Sequence, residues 1–388
     1  VTRHILTGSR VFTGERILES HSVVLDAGRV AAVVPRHEAP VGLSTRELPA
    51  DTLLAPGFID LQVNGAGGVL FNDSPTVDAA LTIASTLRRS GTTSLLPTFI
   101  TDAPERTRLA CDAAARALEQ PGSGVLGVHL EGPFISPERP GVHAPQHIRQ
   151  PGAEDLVSLV ALSERLVRAG GRLLMTLAPE RVEDLFLQKL SASGAVLFAG
   201  HTAASYERTV QSLASGVRGF THLFNAMPPV QGRQPGPVVA GFESDDAWCG
   251  VIVDGVHVHP ANLRQLLKAK PRGKVFLVTD AMPPVGTQET TFTLYGHTIL
   301  RRDGRLVTED GTLAGADIDL ASAVRNTVRL LGVPLEEALR MASLYPARLL
   351  GLESQLGGLA PGQRANLALL RDDVSVLATW VDGNEQWH

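Results

Sequence analysis

Val125-Leu126-Gly127-Val128-His129-Leu130-Glu131-Gly132-Pro133 runs from an apolar stretch straight into ionisable residues and a Gly-Pro stop. The apolar part shows no polar alternation, as a strand buried on both faces of a parallel sheet requires. The same design recurs on either side of it. Toward the N-terminus lie Phe58-Ile59-Asp60-Leu61 and Ser94-Leu95-Leu96-Pro97. Toward the C-terminus lie Leu173-Leu174-Met175-Thr176, Ala195-Val196-Leu197-Phe198, Val217-Arg218-Gly219-Phe220, Val251-Ile252-Val253 and Val275-Phe276-Leu277-Val278. Helical patterns separate most of these runs, over 77–89, 104–118, 156–169 and 261–268. Eight such strands with intervening helices predict an α/β fold, a (β/α)8 TIM-like barrel. A doubly wound open sheet is the other arrangement the pattern permits.

Reactive residue types follow the runs. The third leads to Glu131, the fifth to His201, the sixth to His222, the seventh to Asp254 and His257, and the eighth to Asp280. In a barrel these ends converge on one face, where active sites form. One carboxylate and two imidazoles, Glu131, His201 and His222, suit a catalytic divalent metal with an open coordination position. His129 is expected to be a satisfied buried histidine. His4, His21 and His37 are expected at the surface.

Outside the middle of the chain the pattern changes. Ser22 to Leu25, the turn Asp26-Ala27-Gly28-Arg29 and Val30 to Val34 read as a hairpin. Strand-like segments return at 366–370 and 379–381. A small β-sandwich domain from both termini, 1–53 and 355–388, is therefore expected beside a barrel spanning 54–354. Residues 291–308 read as a hairpin inserted after the eighth strand, and 337–350 as one helix closing the barrel.

The chain has 388 residues, 44% hydrophobic and 19% charged, which fits a packed globular protein and excludes disorder. Its net charge of −5 offers no basic surface for nucleic acid. No run suggests a signal peptide or a membrane span. Cys111 and Cys249 lie in no metal-binding spacing and read as lone thiols, which favours a reducing, cytoplasmic location.

Longer segments extend the reading. Pro56-Gly57-Phe58-Ile59-Asp60, His129-Leu130-Glu131-Gly132-Pro133-Phe134, Gly200-His201-Thr202 and Thr221-His222-Leu223-Phe224-Asn225-Ala226-Met227 stand in the first six runs and their ends. Asp254-Gly255-Val256-His257, Val278-Thr279-Asp280-Ala281 and Leu313-Ala314-Gly315 follow. With these the sequence resembles the amidohydrolase superfamily and, within it, the N-acetylglucosamine-6-phosphate deacetylases, over nearly the whole chain. The resemblance implies hydrolysis of the acetamide of an amino-sugar phosphate, with Glu131, His201 and His222 binding the metal. It implies that Asp280 is the catalytic carboxylate, taking a proton from attacking water and returning one to the departing amine. His143 is the candidate for hydrogen-bonding the carbonyl oxygen as charge develops. Sugar contacts are implied for Val142, His143, Asn225, Ala226, Leu313, Ala314 and Gly315, and phosphate contacts for Arg233 and His257. The arginine of such enzymes can come from the neighbouring subunit, which implies a homodimer. The N-acetylgalactosamine-6-phosphate deacetylases are a neighbouring possibility that these motifs do not separate.

One departure bears on the metal. Many members of the superfamily carry His-x-His after the first strand, where this chain has Gln62-Val63-Asn64. Neutral amides are poor zinc ligands beside imidazole. One divalent ion per subunit is therefore expected, zinc first, with iron, manganese and cobalt compatible with the same donors.

Overall fold

The computed structural model describes residues 3–388. Eight parallel strands form one sheet: β1 (Phe58–Val63), β2 (Thr92–Ile100), β3 (Gly127–Glu131), β4 (Arg172–Leu177), β5 (Val196–Ala199), β6 (Val217–Phe220), β7 (Trp248–Val251) and β8 (Val275–Leu277). Their order in the sheet is the chain order, and every pairing is parallel. Between consecutive strands lie α1 (Val77–Arg88), α2 (Pro104–Leu118), α3 (Ala153–Arg168), α4 (Asp184–Ala192), α5 (Tyr206–Ala214), α6 (Gly236–Glu243) and α7 (Pro260–Ala269), and α8 (Leu320–Leu331) follows β8. This is the (β/α)8 barrel.

Local chemistry explains the element ends. α8 begins where Asp319 accepts a hydrogen bond from Ser322 N and stops at Gly332, whose φ of +72° no β-carbon obstructs. Its buried residues Leu320, Val324, Thr327 and Leu331 recur every three or four positions, one helix face on the sheet. β2 runs beyond Pro97 to Ile100, further than its apolar run suggested. Its pairing with β1 shifts register between Leu95 and Pro97, where the proline has no N–H to donate. The expected closing helix over 337–350 is two helices, Leu335–Ala342 and Leu344–Leu349, broken at Ser343. Pro346 cannot donate to the Ala342 carbonyl, so a continuous helix fails there.

β1 and β8 meet through the residues just after β8. Asp280 N donates to Gln62 O at 2.9 Å, and Asn64 N and Gly65 N both donate to Ala281 O, at 2.9 and 3.0 Å. Deeper in the seam the buried Asp60 carboxylate accepts from Thr279 Oγ1 at 2.6 Å, Thr279 N at 3.3 Å and Gln62 N at 3.2 Å. That seam places Asp280.

Both chain ends build the remaining sheets. A four-stranded sheet uses His4–Thr7, His21–Asp26, Arg29–Pro35 and Ser44–Glu47. A six-stranded sheet combines Arg10–Phe12, Ile17–Leu18 and Thr52–Pro56 with Leu367–Arg371, Val376–Val381 and Asn384–Trp387. Leu54, Leu367, Leu369 and Trp380 face a second core shared with Leu6, Val23 and Leu25. Their neighbours Leu53, Ala55, Ala368 and Leu370 face the barrel core. The alternation makes the six-stranded sheet a layer buried on both sides.

The insertion after β8 is a three-stranded sheet, Thr291–Leu294, His297–Arg302 and Arg305–Val307, rather than a single hairpin. Leu294, Ile299 and Leu306 pack with Leu70, Ile100, Met282 and Ala314 at the barrel mouth. Tyr295 Oη donates to Thr101 O at 2.7 Å and ties the insertion to the end of β2.

Candidate metal and active site

Glu131 is the last residue of β3, His201 follows β5, His222 follows β6 and Asp280 follows β8. A cavity of about 550 Å³ opens above them. Glu131 Oε1 lies 3.0 Å from His222 Nε2 and 3.2 Å from His201 Nε2, and the two histidine nitrogens are 3.2 Å apart. These are the separations of a tetrahedral edge around a small cation, about 3.3 Å for metal–ligand bonds of about 2.0–2.1 Å. The protonation pattern agrees. His201 Nδ1 donates to Arg139 O at 2.9 Å, so Nε2 is the nitrogen turned toward Glu131 and His222. His222 Nδ1 is buried with no partner, while its Nε2 faces Glu131. His143 offers a further nitrogen within 4.8 Å of donor atoms on Glu131 and His201. Glu131, His143 and His201 therefore form a second candidate metal-holding set, although His143 Nδ1 is already engaged by Thr101.

Several of these residues hold backbone conformations that side chains rarely adopt. φ is +47° at His201, +28° at His222, +50° at Ala226 and +55° at Asp280. Such conformations cost of order 1–3 kcal/mol each and persist where the surroundings dictate them. Here they turn the chain sharply past each strand end, so that the side chain points into the cavity.

Electrostatics divides the two carboxylates. Burial pushes the Glu131 carboxyl up, but the close contacts with His201 and His222 outweigh it and hold the group well below the usual range. Asp280 goes the other way: burial, then the Glu131 charge, push it up to about 6. Gln62 Nε2 and Asn64 Nδ2 both donate to Asp280 Oδ1, at 3.1 and 2.6 Å. Oδ2 is thereby the oxygen left to exchange a proton. Gln62 Nε2 also reaches Glu131 Oε1 at 3.2 Å. The two amides are thus engaged with Asp280 and Glu131.

His143 Nδ1 lies 2.8 Å from Thr101 Oγ1, which also reaches Glu131 O at 3.3 Å. Burial, then the neighbouring His201, keep this ring well below the usual histidine range, so it is neutral. Thr101 Oγ1 gives its one hydrogen to Glu131 O, so His143 Nδ1 donates to Thr101 and the ring presents Nε2 to the cavity. His129 is fully buried between Thr98 Oγ1 at 3.1 Å and Thr176 Oγ1 at 2.8 Å, a satisfied histidine as expected.

Val142, His143, Asn225, Ala226, His257, Leu313 and Gly315 all line the cavity, whereas Ala314 is packed in the satellite core. At Gly315 φ is +63° and a β-carbon would lie 2.9 Å from Asp280 O, so only glycine lets this loop close on the acid. His257 Nδ1 bonds Asp254 Oδ2 at 2.6 Å, which fixes the ring and leaves Nε2 for a ligand. Arg233 is exposed on the loop before α6 and does not line the cavity. The sequence reading did not single out Thr101, Asp60 or Arg139. Asp254 stood in a quoted motif, three residues before His257, without a role.

The amidohydrolase family model matches residues 53–385, and the NagA composite domain matches residues 4–53. The chain belongs to the amidohydrolase family. Similarity extends along nearly all of it. It is 38% identical over 381 residues to an N-acetylgalactosamine-6-phosphate deacetylase of Shewanella sp. strain ANA-3, covering 98% of this chain and 95% of the relative. It is 35% identical over 385 residues to the N-acetylglucosamine-6-phosphate deacetylase of Haemophilus influenzae, covering 98% of each. The crystal structure of the Pasteurella multocida N-acetylglucosamine-6-phosphate deacetylase superposes with a TM-score of 0.94 at 35% identity, covering both chains completely. The resemblance drawn from the motifs is therefore shared by sequence and fold.

Proposed function

We propose that this chain hydrolyses the acetamide of N-acetylglucosamine 6-phosphate to glucosamine 6-phosphate and acetate. The carrying observation is the close trio Glu131, His201 and His222 in one cavity with the Asp280 carboxyl. The names of the relatives support the substrate class. One divalent ion, zinc first, held by the trio would polarise the acetamide and acidify water. Asp280 takes the proton of the attacking water at Oδ2 and passes it to the leaving nitrogen, which cannot depart as an anion. His143 is the side chain that faces the carbonyl oxygen as it gains charge, and Thr101 fixes its ring.

His257 and Arg233 bind the phosphate in this reading. The exposure of Arg233 supports a homodimer in which it reaches the neighbouring cavity. Among the described residues no helix is long and apolar enough to cross a membrane. The two free thiols, Cys249 buried and Cys111 half-buried, accord with a cytoplasmic setting. The galactosamine epimer is the second reading, because the Shewanella relative is named for it.

The test is acetate release from both 6-phosphates, with metal analysis before and after chelation. Faster release from the glucosamine derivative, lost on chelation and restored by about one ion per chain, is expected. Release from neither sugar would overturn the proposal.

A further inference from the structure

Arg139 is the only lysine or arginine on the cavity wall among the described residues. The same wall carries three carboxylates, Glu131, Glu138 and Asp280. A phosphate ester entering such a cavity meets negative charge unless a cation is placed to receive it. The side chain of Arg139 has no partner among the described residues. Its guanidinium makes no ion pair and no hydrogen bond to any described residue, and its Nε is buried without a partner. A buried donor left unpaired costs about 1–3 kcal/mol, so no partner within the chain holds this guanidinium in place.

Its backbone, by contrast, is fixed. Arg139 N donates to Ser136 O at 3.1 Å, and Arg139 O accepts from His201 Nδ1 at 2.9 Å. Pro137 and Pro140 flank the site and limit the freedom of its loop. The result is a free guanidinium on a main chain tied to a residue of the close trio. A planar fork of N–H donors matches phosphate geometry.

We infer that Arg139 binds the phosphate of the substrate within its own subunit, in addition to any arginine from a partner. The inference rests on the proposed substrate class and adds a cation that the motif reading did not include.

The test uses Arg139→Gln and Arg139→Lys in the full-length metal-loaded protein. For Arg139→Gln the KM for the sugar phosphate is expected to rise about tenfold to a hundredfold, the range for a charged hydrogen bond, and far more than for the unphosphorylated sugar. Arg139→Lys should recover part of the loss. Equal changes on both sugars, or an unchanged KM, would overturn the inference. Binding of inorganic phosphate, followed by calorimetry, separates this from the reaction itself. Weaker phosphate binding by Arg139→Gln supports the inference even if no acetate is released. Equal binding by both proteins, or none by the wild type, counts against it.

Discussion

On the cavity floor, Glu131, His222 and Asp280 leave or follow barrel strands, and each side chain is fixed by at least one hydrogen bond to another floor residue. On the rim, Arg139 and Arg233 sit on connecting loops, and neither guanidinium makes an ion pair with a described residue. Electrostatic preorganisation requires the first arrangement, because groups that act on developing charge must not reorganise during reaction. Substrate capture tolerates the second, because a loop arginine can gain its partners when the ligand arrives. The floor is thus built to act and the rim to recognise, and substitutions should separate turnover from KM along that line.

The largest effect is expected at Asp280. Asp280→Asn preserves shape and the amide contacts but cannot take a proton, so kcat should fall by about 10² to 10⁴. Metal content per chain should match the wild type. Near-normal turnover would remove Asp280 from its role and break the floor's claim to the chemistry.

A smaller effect should appear at Thr101, which touches the floor from the end of β2. Thr101→Val keeps the volume and removes the oxygen 2.8 Å from His143 Nδ1. The ring then loses what selects its tautomer and orientation. Losses for such supporting partners run at about 10- to 100-fold in activity. Thr101→Ser should restore most of it. If valine and serine behave alike in kcat, Thr101 only packs, and the floor's precision rests elsewhere.

The two regions also differed in how far the sequence disclosed them. Strand-end residues such as Glu131 and His201 stand out because ionisable groups interrupt apolar runs, and barrel topology then brings them together. The fold was legible for the same reason. What escaped notice depends on tertiary partners. Thr101 looks like any polar residue past a strand, and only the structure sets His143 beside it. Arg139 lies in a polar Pro-rich loop, and its lack of a partner is a property of the folded chain. The break at Ser343 is signalled in the sequence only by Pro346, inside a stretch of otherwise helical pattern. Asp60 stands in an apolar run and ends the motif over 56–60, and neither marks it as the carboxyl that closes the seam.

Asp60 supplies the smallest expected effect, and it tests what lies beneath the floor. Burial is the chief cause that pushes its carboxyl up to about 7, above the 3.8 of an ordinary aspartate, and the bonds from Thr279 and Gln62 only moderate the rise. A folded value above the unfolded one means that the native state holds a proton the unfolded chain has released. The associated stability is complete below about pH 4 and is lost as pH rises through about 7. Asp60→Asn stays neutral at every pH and can keep the seam bonded, since Thr279 Oγ1 also reaches Gln62 O at 3.3 Å. The melting temperature of the variant minus that of the wild type, both freed of metal, should therefore grow between pH 5 and pH 8, by an amount on the order of a few degrees. A difference independent of pH would mean that Asp60 keeps its charge in the fold. The seam between β1 and β8 would then be an ionised contact, and Asp280 would stand beside another negative group rather than a neutral one.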